Sequence, residues 1–575
     1  MKKTKIIGIA VAAMFLAGCC NDGTKQTGLQ PVSFEAVDMR GELAARVARN
    51  FDRLEMDMYQ PDSIFKSQLA KTWPGDAQGR VVLGLVVDSR SSKRTPLYLE
   101  QILAAYPDNM NEQGYFGPLF DGILNEQQLS GNGWVLRGLC EYYEWTRDEK
   151  VLAMITNIVD NLFMKGKGMY SNYPIDPADR KKNLGDAIGD IVYSDNEWIL
   201  SSDIGCIFIG MEGMIHAYKI LGREDMREVI EEMMARFLEI DLVAIKAQTH
   251  ASLTACRGLI RYAEITGRTE LIEEAAKRWE LYCEYGMTEN YENYNWFERY
   301  NTWSEPCAVV DSYMVAMQLW KHTRDARYID QAELIYYNGL CHSQRFNGGF
   351  GCDFGPGEAR HSHSLEVRTD EAHWCCTMRG AEGLASAVAY SYFTEGNAVY
   401  VPFYHESSVT IPMGRSQMRM SQTTQYPFDH SVRFEVEEAA KGSVALNLRL
   451  PVNTVNHQLV VNGEPTAFEV VGNFAVLNRE FAAGDVVEWN FEPVAKIENS
   501  AVNAYNTKSD QYRAFYGVLL LGNDDGEPIE LDGTESIVRT GERSFTVGEQ
   551  TLTTVYHLMD PEVWSNTDYH KQMLF

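Results

Sequence analysis

The feature that most limits how this 575-residue chain can fold is a change of hydrophobic period near residue 395. From about residue 38 to 393 apolar residues recur at helical spacing, as in Leu43, Val47, Phe51 and Leu54, and in Val151, Leu152, Ile155, Ile158, Val159 and Leu162. Beyond Asn397 the period is two. Val432 to Val436 and Val444 to Leu450 alternate apolar and polar residues, and Asn462-Gly463 is a strong hairpin turn. Such a chain is multidomain α + β, helices first and sheets after, because 575 residues exceed what one hydrophobic core supports.

The helical half carries a loose repeat in its connections: Trp145-Thr146-Arg147-Asp148, Leu221-Gly222-Arg223-Glu224, Thr266-Gly267-Arg268-Thr269 and His322-Thr323-Arg324-Asp325. Each follows one helix and opens another, so the half is a series of helical hairpins. An insertion, roughly 165–196, holds the loop-like Tyr173-Pro174-Ile175-Asp176-Pro177. Hairpins of this kind stack as an open solenoid or close as an α/α toroid, and the β-modules that follow favour closure. The expected domains are a leader at 1–18, a tether at 19–32, a toroid at 33–394, a β-sandwich at 395–497 and a smaller β-rich module at 498–575.

Net charge of −28, with no basic run of five or more, excludes a nucleic-acid-binding surface, which must neutralise phosphates. The start, Met1-Lys2-Lys3-Thr4-Lys5 followed by an apolar run to Ala17 and then Gly18-Cys19, reads as a bacterial lipoprotein signal, with Cys19 the lipidated first residue of the mature chain. That places the protein on a membrane of the cell envelope through a lipid anchor. Excluding Cys19 and Cys20, nine of the eleven cysteines remain, an odd number in a compartment that normally pairs them. Cys140, Cys206, Cys256 and Cys283 fall in apolar helical stretches and read as small buried hydrophobes.

Cys307, Cys375 and Cys376 are different. Adjacent cysteines cannot readily close a disulfide on each other, and with Glu305 the three thiols make the ligand set of a tetrahedral zinc site. Pro306 suits the first turn of a helix, which would put Glu305 and Cys307 at its electropositive end. Three buried thiols and a helix-start glutamate are the alternative. Cys352, Asp353, His361 and His363 form a second group of metal-capable types, without a convincing spacing. Tyr291, Tyr294, Trp296, Tyr300 and Trp303 offer either a sugar platform or part of the toroid wall.

Glu305-Pro306-Cys307 followed by Cys375-Cys376 resembles the Glu-x-Cys and Cys-Cys elements of glycoside hydrolase family 127, the β-L-arabinofuranosidases. The resemblance implies zinc held by Glu305, Cys307, Cys375 and Cys376, and Cys375 as the nucleophile of a retaining exo-glycosidase acting on plant-type glycans. It implies Glu289, sixteen residues before Glu305, as general acid/base, with Glu292 and Glu298 as nearby competitors. It also implies His250, in Thr249-His250-Ala251, as a sugar contact, to which His373, Trp303 and Tyr291 are added as expected substrate contacts. Where the family usually continues Pro-Pro-Asn after its cysteine pair, this chain has Thr377-Met378-Arg379. Two other readings stay open: a zinc-free toroid hydrolase of unsaturated uronyl type, and a glycan-binding lipoprotein with structural zinc.

Overall fold

The computed structural model describes residues 28–66, 69–183, 188–356, 363–500, 511–524, 527–559 and 570–575. Cys19, with the rest of the leader and most of the tether, and His361 lie outside the described residues.

Among the described residues, six inner helices close into a ring: Asp76–Ser92, Glu126–Thr146, Ile207–Leu221, Thr249–Thr266, Pro306–Thr323 and Cys376–Ala389, the last packing back on the first. Outer helices back them, and their sequences show why they stay outside. Glu224–Leu238 buries Met226, Val229, Ile230, Met233, Met234 and Phe237, a single stripe at helical spacing. Glu126–Thr146 is instead buried on all sides from Glu126 to Cys140. Its approach to the next inner helix needs glycine, since a Cβ on Gly133 would lie 2.6 Å from Gly210 Cα. The closed α/α toroid is the fold expected of this half.

The repeated turns have one physical basis. Arg147, Gly222, Gly267 and Arg324 each cap a helix in the left-handed region, with φ of 59, 61, 77 and 60°, and return an N–H to the carbonyl four residues back. Asp148 and Asp325 then cap the following helices by accepting from Lys150 N and Arg327 N.

The sandwich packs a six-stranded sheet with a seven-stranded one. Asn462 and Gly463 both have positive φ and turn strand Thr454–Val461 into Glu464–Thr466. One boundary differs from expectation. Gln30–Pro31 pairs with strand Phe393–Glu395, and Val37–Met39 pairs with Ser407–Met413. The start of the described chain is thus an edge of each sandwich sheet, because open strand edges there take up its backbone hydrogen bonds. The insertion ends in a hairpin whose first strand, Val192–Asp195, pairs with Trp198–Ser201 just beyond it. A further six-stranded sheet begins at Ala495–Asn499, and strand His570–Gln572 returns to pair with Ser364–Thr369 of the helical half. No described helix is long and apolar enough to cross a membrane.

Candidate active site

All six inner helices present their first two turns to one cavity of about 980 Å³, through Asp76, Ser130, Ile209, His250, Glu305 and Cys376. The positive ends of the helix dipoles therefore converge on it, a setting that favours anionic ligands and thiolates.

Two neighbouring helices bring the predicted ligands together. Glu305 is the N-cap residue of Pro306–Thr323 with Pro306 in the first turn, and Cys375 is the N-cap residue of Cys376–Ala389. One ligand atom from each of Glu305, Cys307, Cys375 and Cys376 lies within 4.8 Å of the others. Cys307 Sγ is 3.7 Å and Cys375 Sγ 3.2 Å from Cys376 Sγ, well beyond disulfide length. The first separation matches the edge of about 3.8 Å of a tetrahedron with zinc–sulfur bonds of about 2.3 Å. By donor chemistry, clustering and the Cys307–Cys376 separation, the four residues fit zinc.

Burial opposes ionising these groups, and the cluster resolves this unevenly. Hydrogen bonds from Cys375 and Cys376, aided by Arg80, hold Cys307 well below the usual thiol range despite its burial. Cys375, as a donor to Cys307, is pushed well up, and burial does the same to Cys376. Glu305 is raised by burial and by the charge on Cys307. A divalent ion bound among these groups would favour their ionised forms. Arg80 donates to Cys307 Sγ at 3.4 Å and to both oxygens of Asp76, while Gln248 Nε2 donates to Glu305 Oε2 at 3.3 Å.

His250 also lines the cavity. Its Nδ1 lies 2.8 Å from Asp311 Oδ2, its ring stacks on Trp134, and Nε2 has no hydrogen-bond partner among the described residues. Against the cost of burial, Arg379, Arg257 and His250 hold Asp311 well below the carboxylate range. Trp303 lines the wall with the Arg368 guanidinium 3.9 Å over its ring, and exposed His373 lies at the rim.

Other expected residues lie elsewhere. Glu289 and Tyr291 are absent from the described cavity lining. Glu289 instead pairs with Arg513 of the C-terminal module at 3.0 Å and accepts from Ser500 at 3.2 Å. Tyr291 packs under the same arginine. Of the five aromatics between them and Glu305, only Trp303 reaches the described lining; Trp296 packs edge-on behind it. The described members of the second ligand group, Cys352, Asp353 and His363, do not converge as one set. His363 faces Gln511 at 2.7 Å, Cys352 lines the cavity, and Asp353 pairs with Arg345. After the cysteine pair, Met378 reaches the cavity, but Arg379 turns into the toroid core against Asp311. Arg80, Asp76, Gln248 and Asp311 carry no sequence signal of their own and meet the site only because the ring closes.

The family model described as β-L-arabinofuranosidase, GH127 catalytic domain, matches residues 239–388, and that of the GH127 middle domain matches 398–492. Residues 239–388 and 398–492 thus carry the catalytic and middle domains of glycoside hydrolase family 127. With these domains the protein is a glycoside hydrolase, and its substrate is a glycan. Solved structures share the fold along the whole length. A GH127 β-arabinofuranosidase, 14% identical, aligns over 96% of this chain and 98% of its own with a TM-score of 0.70. A GH127 β-L-arabinofuranosidase from Geobacillus stearothermophilus T6, also 14% identical, aligns over 94% and 99% with a TM-score of 0.65. No curated protein matches the sequence.

Proposed function

We propose that this glycoside hydrolase is a zinc-dependent, retaining exo-glycosidase that removes terminal β-L-arabinofuranosyl or a closely related sugar from plant-type glycans, with Cys375 as its nucleophile. One observation carries the reading: of the three clustered thiols only Cys375 keeps exposed surface, 6%, and it lies on the cavity wall. Glu305, Cys307, Cys375 and Cys376 would hold zinc, which when bound supplies the charge that keeps the sulfurs ionised.

Cys375 Sγ attacks the anomeric carbon as the bond to the leaving oxygen breaks, giving a thioglycosyl enzyme. Water then attacks the same carbon and releases the thiolate, so two inversions retain configuration. A proton must reach the leaving oxygen and later leave the water. Among the residues that line the cavity, His250 is best disposed for this: Nδ1 is committed to Asp311, and Nε2 has no hydrogen-bond partner among the described residues. Glu289, the donor implied by the resemblance, is left in this reading as the ion-pair partner of Arg513.

The test combines metal analysis with turnover of a panel of 4-nitrophenyl furanosides and pyranosides by wild type and Cys375→Ala. Zinc near one equivalent at the thiols, cleavage of the β-L-arabinofuranoside and a glycosyl adduct on Cys375 by mass spectrometry are expected. Full activity in the variant would overturn the nucleophile.

We further propose that Cys19 is lipidated and holds the enzyme to the cell envelope. Radiolabelled palmitate should then enter the wild-type protein, and Cys19→Ala should move it to the soluble fraction.

A further inference from the structure

Behind the Glu305 loop, Glu292, His342 and Asp353 meet from three segments: the connection before helix Pro306–Thr323, helix Cys341–Ser343 and strand Cys352–Phe354. All three are 0% exposed, and one ligand atom from each lies within 4.8 Å of the others. Ser343 Oγ donates to Glu292 Oε1 at 2.8 Å, and Arg345 Nη2 donates to Asp353 Oδ1 at 2.6 Å. That accounts for one oxygen of each carboxylate. The other two, Glu292 Oε2 and Asp353 Oδ2, are buried and receive no hydrogen bond from the described residues.

The imidazole adds a third acceptor. His342 Nδ1 lies 3.3 Å from Val555 O, and a carbonyl only accepts, so Nδ1 carries the proton. In the neutral ring Nε2 then turns its lone pair toward Asp353 Oδ2, 3.4 Å away. Two carboxylates face one guanidinium here. A cation among the three acceptors removes every one of these conflicts.

We infer that Glu292, His342 and Asp353 form a second metal site, separate from the thiol cluster, which takes a divalent ion of borderline hardness such as Mn²⁺ or Zn²⁺ through two carboxylate oxygens and one imidazole nitrogen. Its surroundings are those of a ligand set held in place: Val555 O orients His342, Ser343 orients Glu292 and Arg345 orients Asp353. The role is structural. Ser304 N donates to Asp353 O at 2.7 Å and Asp353 N donates to Ser304 Oγ at 2.9 Å, so the ion would brace the residue that precedes Glu305. Through Val555 it would also tie the C-terminal module to the toroid.

The test uses full-length protein loaded with Zn²⁺ or Mn²⁺, metal analysis and X-ray absorption. Wild type is expected to hold two equivalents, one with sulfur in its first shell and one with nitrogen and oxygen only. Cys307→Ser/Cys376→Ser should keep the second alone, and adding Asp353→Asn should remove it. An Asp353→Asn protein that retains a nitrogen- and oxygen-bound ion overturns the inference. So does wild type whose only bound metal is sulfur-coordinated, a result that decides the matter even where a variant fails to fold. Wild type that holds the nitrogen- and oxygen-bound ion but no sulfur-coordinated one would instead overturn the zinc–thiolate reading and leave this one standing.

Discussion

Cys307 and Asp311 sit one turn apart on helix Pro306–Thr323, as do Cys375 and Arg379 at the start of its neighbour, yet the two layers they build handle charge in opposite ways. In the lower layer Asp311 binds Arg257 and Arg379 at 2.7 and 2.6 Å, and Glu382 binds Arg137 and Arg257 at 2.7 and 2.5 Å. Glu212 completes it with Arg137 and Arg261. Every charge there meets its opposite within the protein. In the upper layer three sulfurs and the Glu305 carboxyl crowd together with Arg80 donating to Cys307, burial opposes their ionisation, and the layer borders a cavity. The lower layer is complete without a ligand and reads as scaffold. The upper one presents a donor set that could bind a metal ion, and His250 joins the two.

That contrast can be broken at four points. Cys375→Ala should cut turnover by more than about 10⁴-fold, the scale of a lost nucleophile, and leave the urea midpoint near wild type. Steady-state kinetics and equilibrium unfolding check both halves, and an equal loss of stability would make the layers alike. Glu382→Ala should do the reverse. It strips buried arginines of their acceptor at a cost of about 3–5 kcal/mol, read by urea unfolding, with unchanged metal content per folded chain. His250→Gln, at the junction, should lower kcat by about 10²–10⁴-fold on substrates with poor leaving groups and far less on 4-nitrophenyl glycosides. Zinc stoichiometry should not change. The smallest effect is expected from Glu289→Gln, which weakens the bond to Arg513 by about 1–3 kcal/mol and changes kcat by less than about tenfold. A loss of thousands-fold there would return the proton to Glu289 and sharpen the site's boundary.

Legibility in the sequence followed how local the cause was. The ligand set could be read because Cys375 and Cys376 are adjacent and Pro306 fixes a helix start between Glu305 and Cys307. The left-handed caps and capping aspartates stood out as a repeat because each is settled within four residues. Glu289 shows the opposite case. A spacing of sixteen residues says nothing about direction when the connection is irregular, and positive φ at Tyr291 and Glu298 turns the chain twice before Glu305. The Thr377-Met378-Arg379 departure could be seen, but its meaning depended on which side of a closed ring Arg379 faced.

By itself the sequence determined the order of helical and sheet modules, the hairpin repeat and the Glu305, Cys307, Cys375 and Cys376 set, since periodicity and short-range backbone constraints write these directly into neighbouring residues. Only the tertiary structure decided that the ring closes, that Arg80 and His250 join the thiols, that Glu289 pairs with Arg513, and that Gln30–Pro31 and Val37–Met39 edge the sandwich. Each of these depends on packing and pairing between residues far apart in the chain, where charge and hydrogen-bond balance, not spacing, selects the partner.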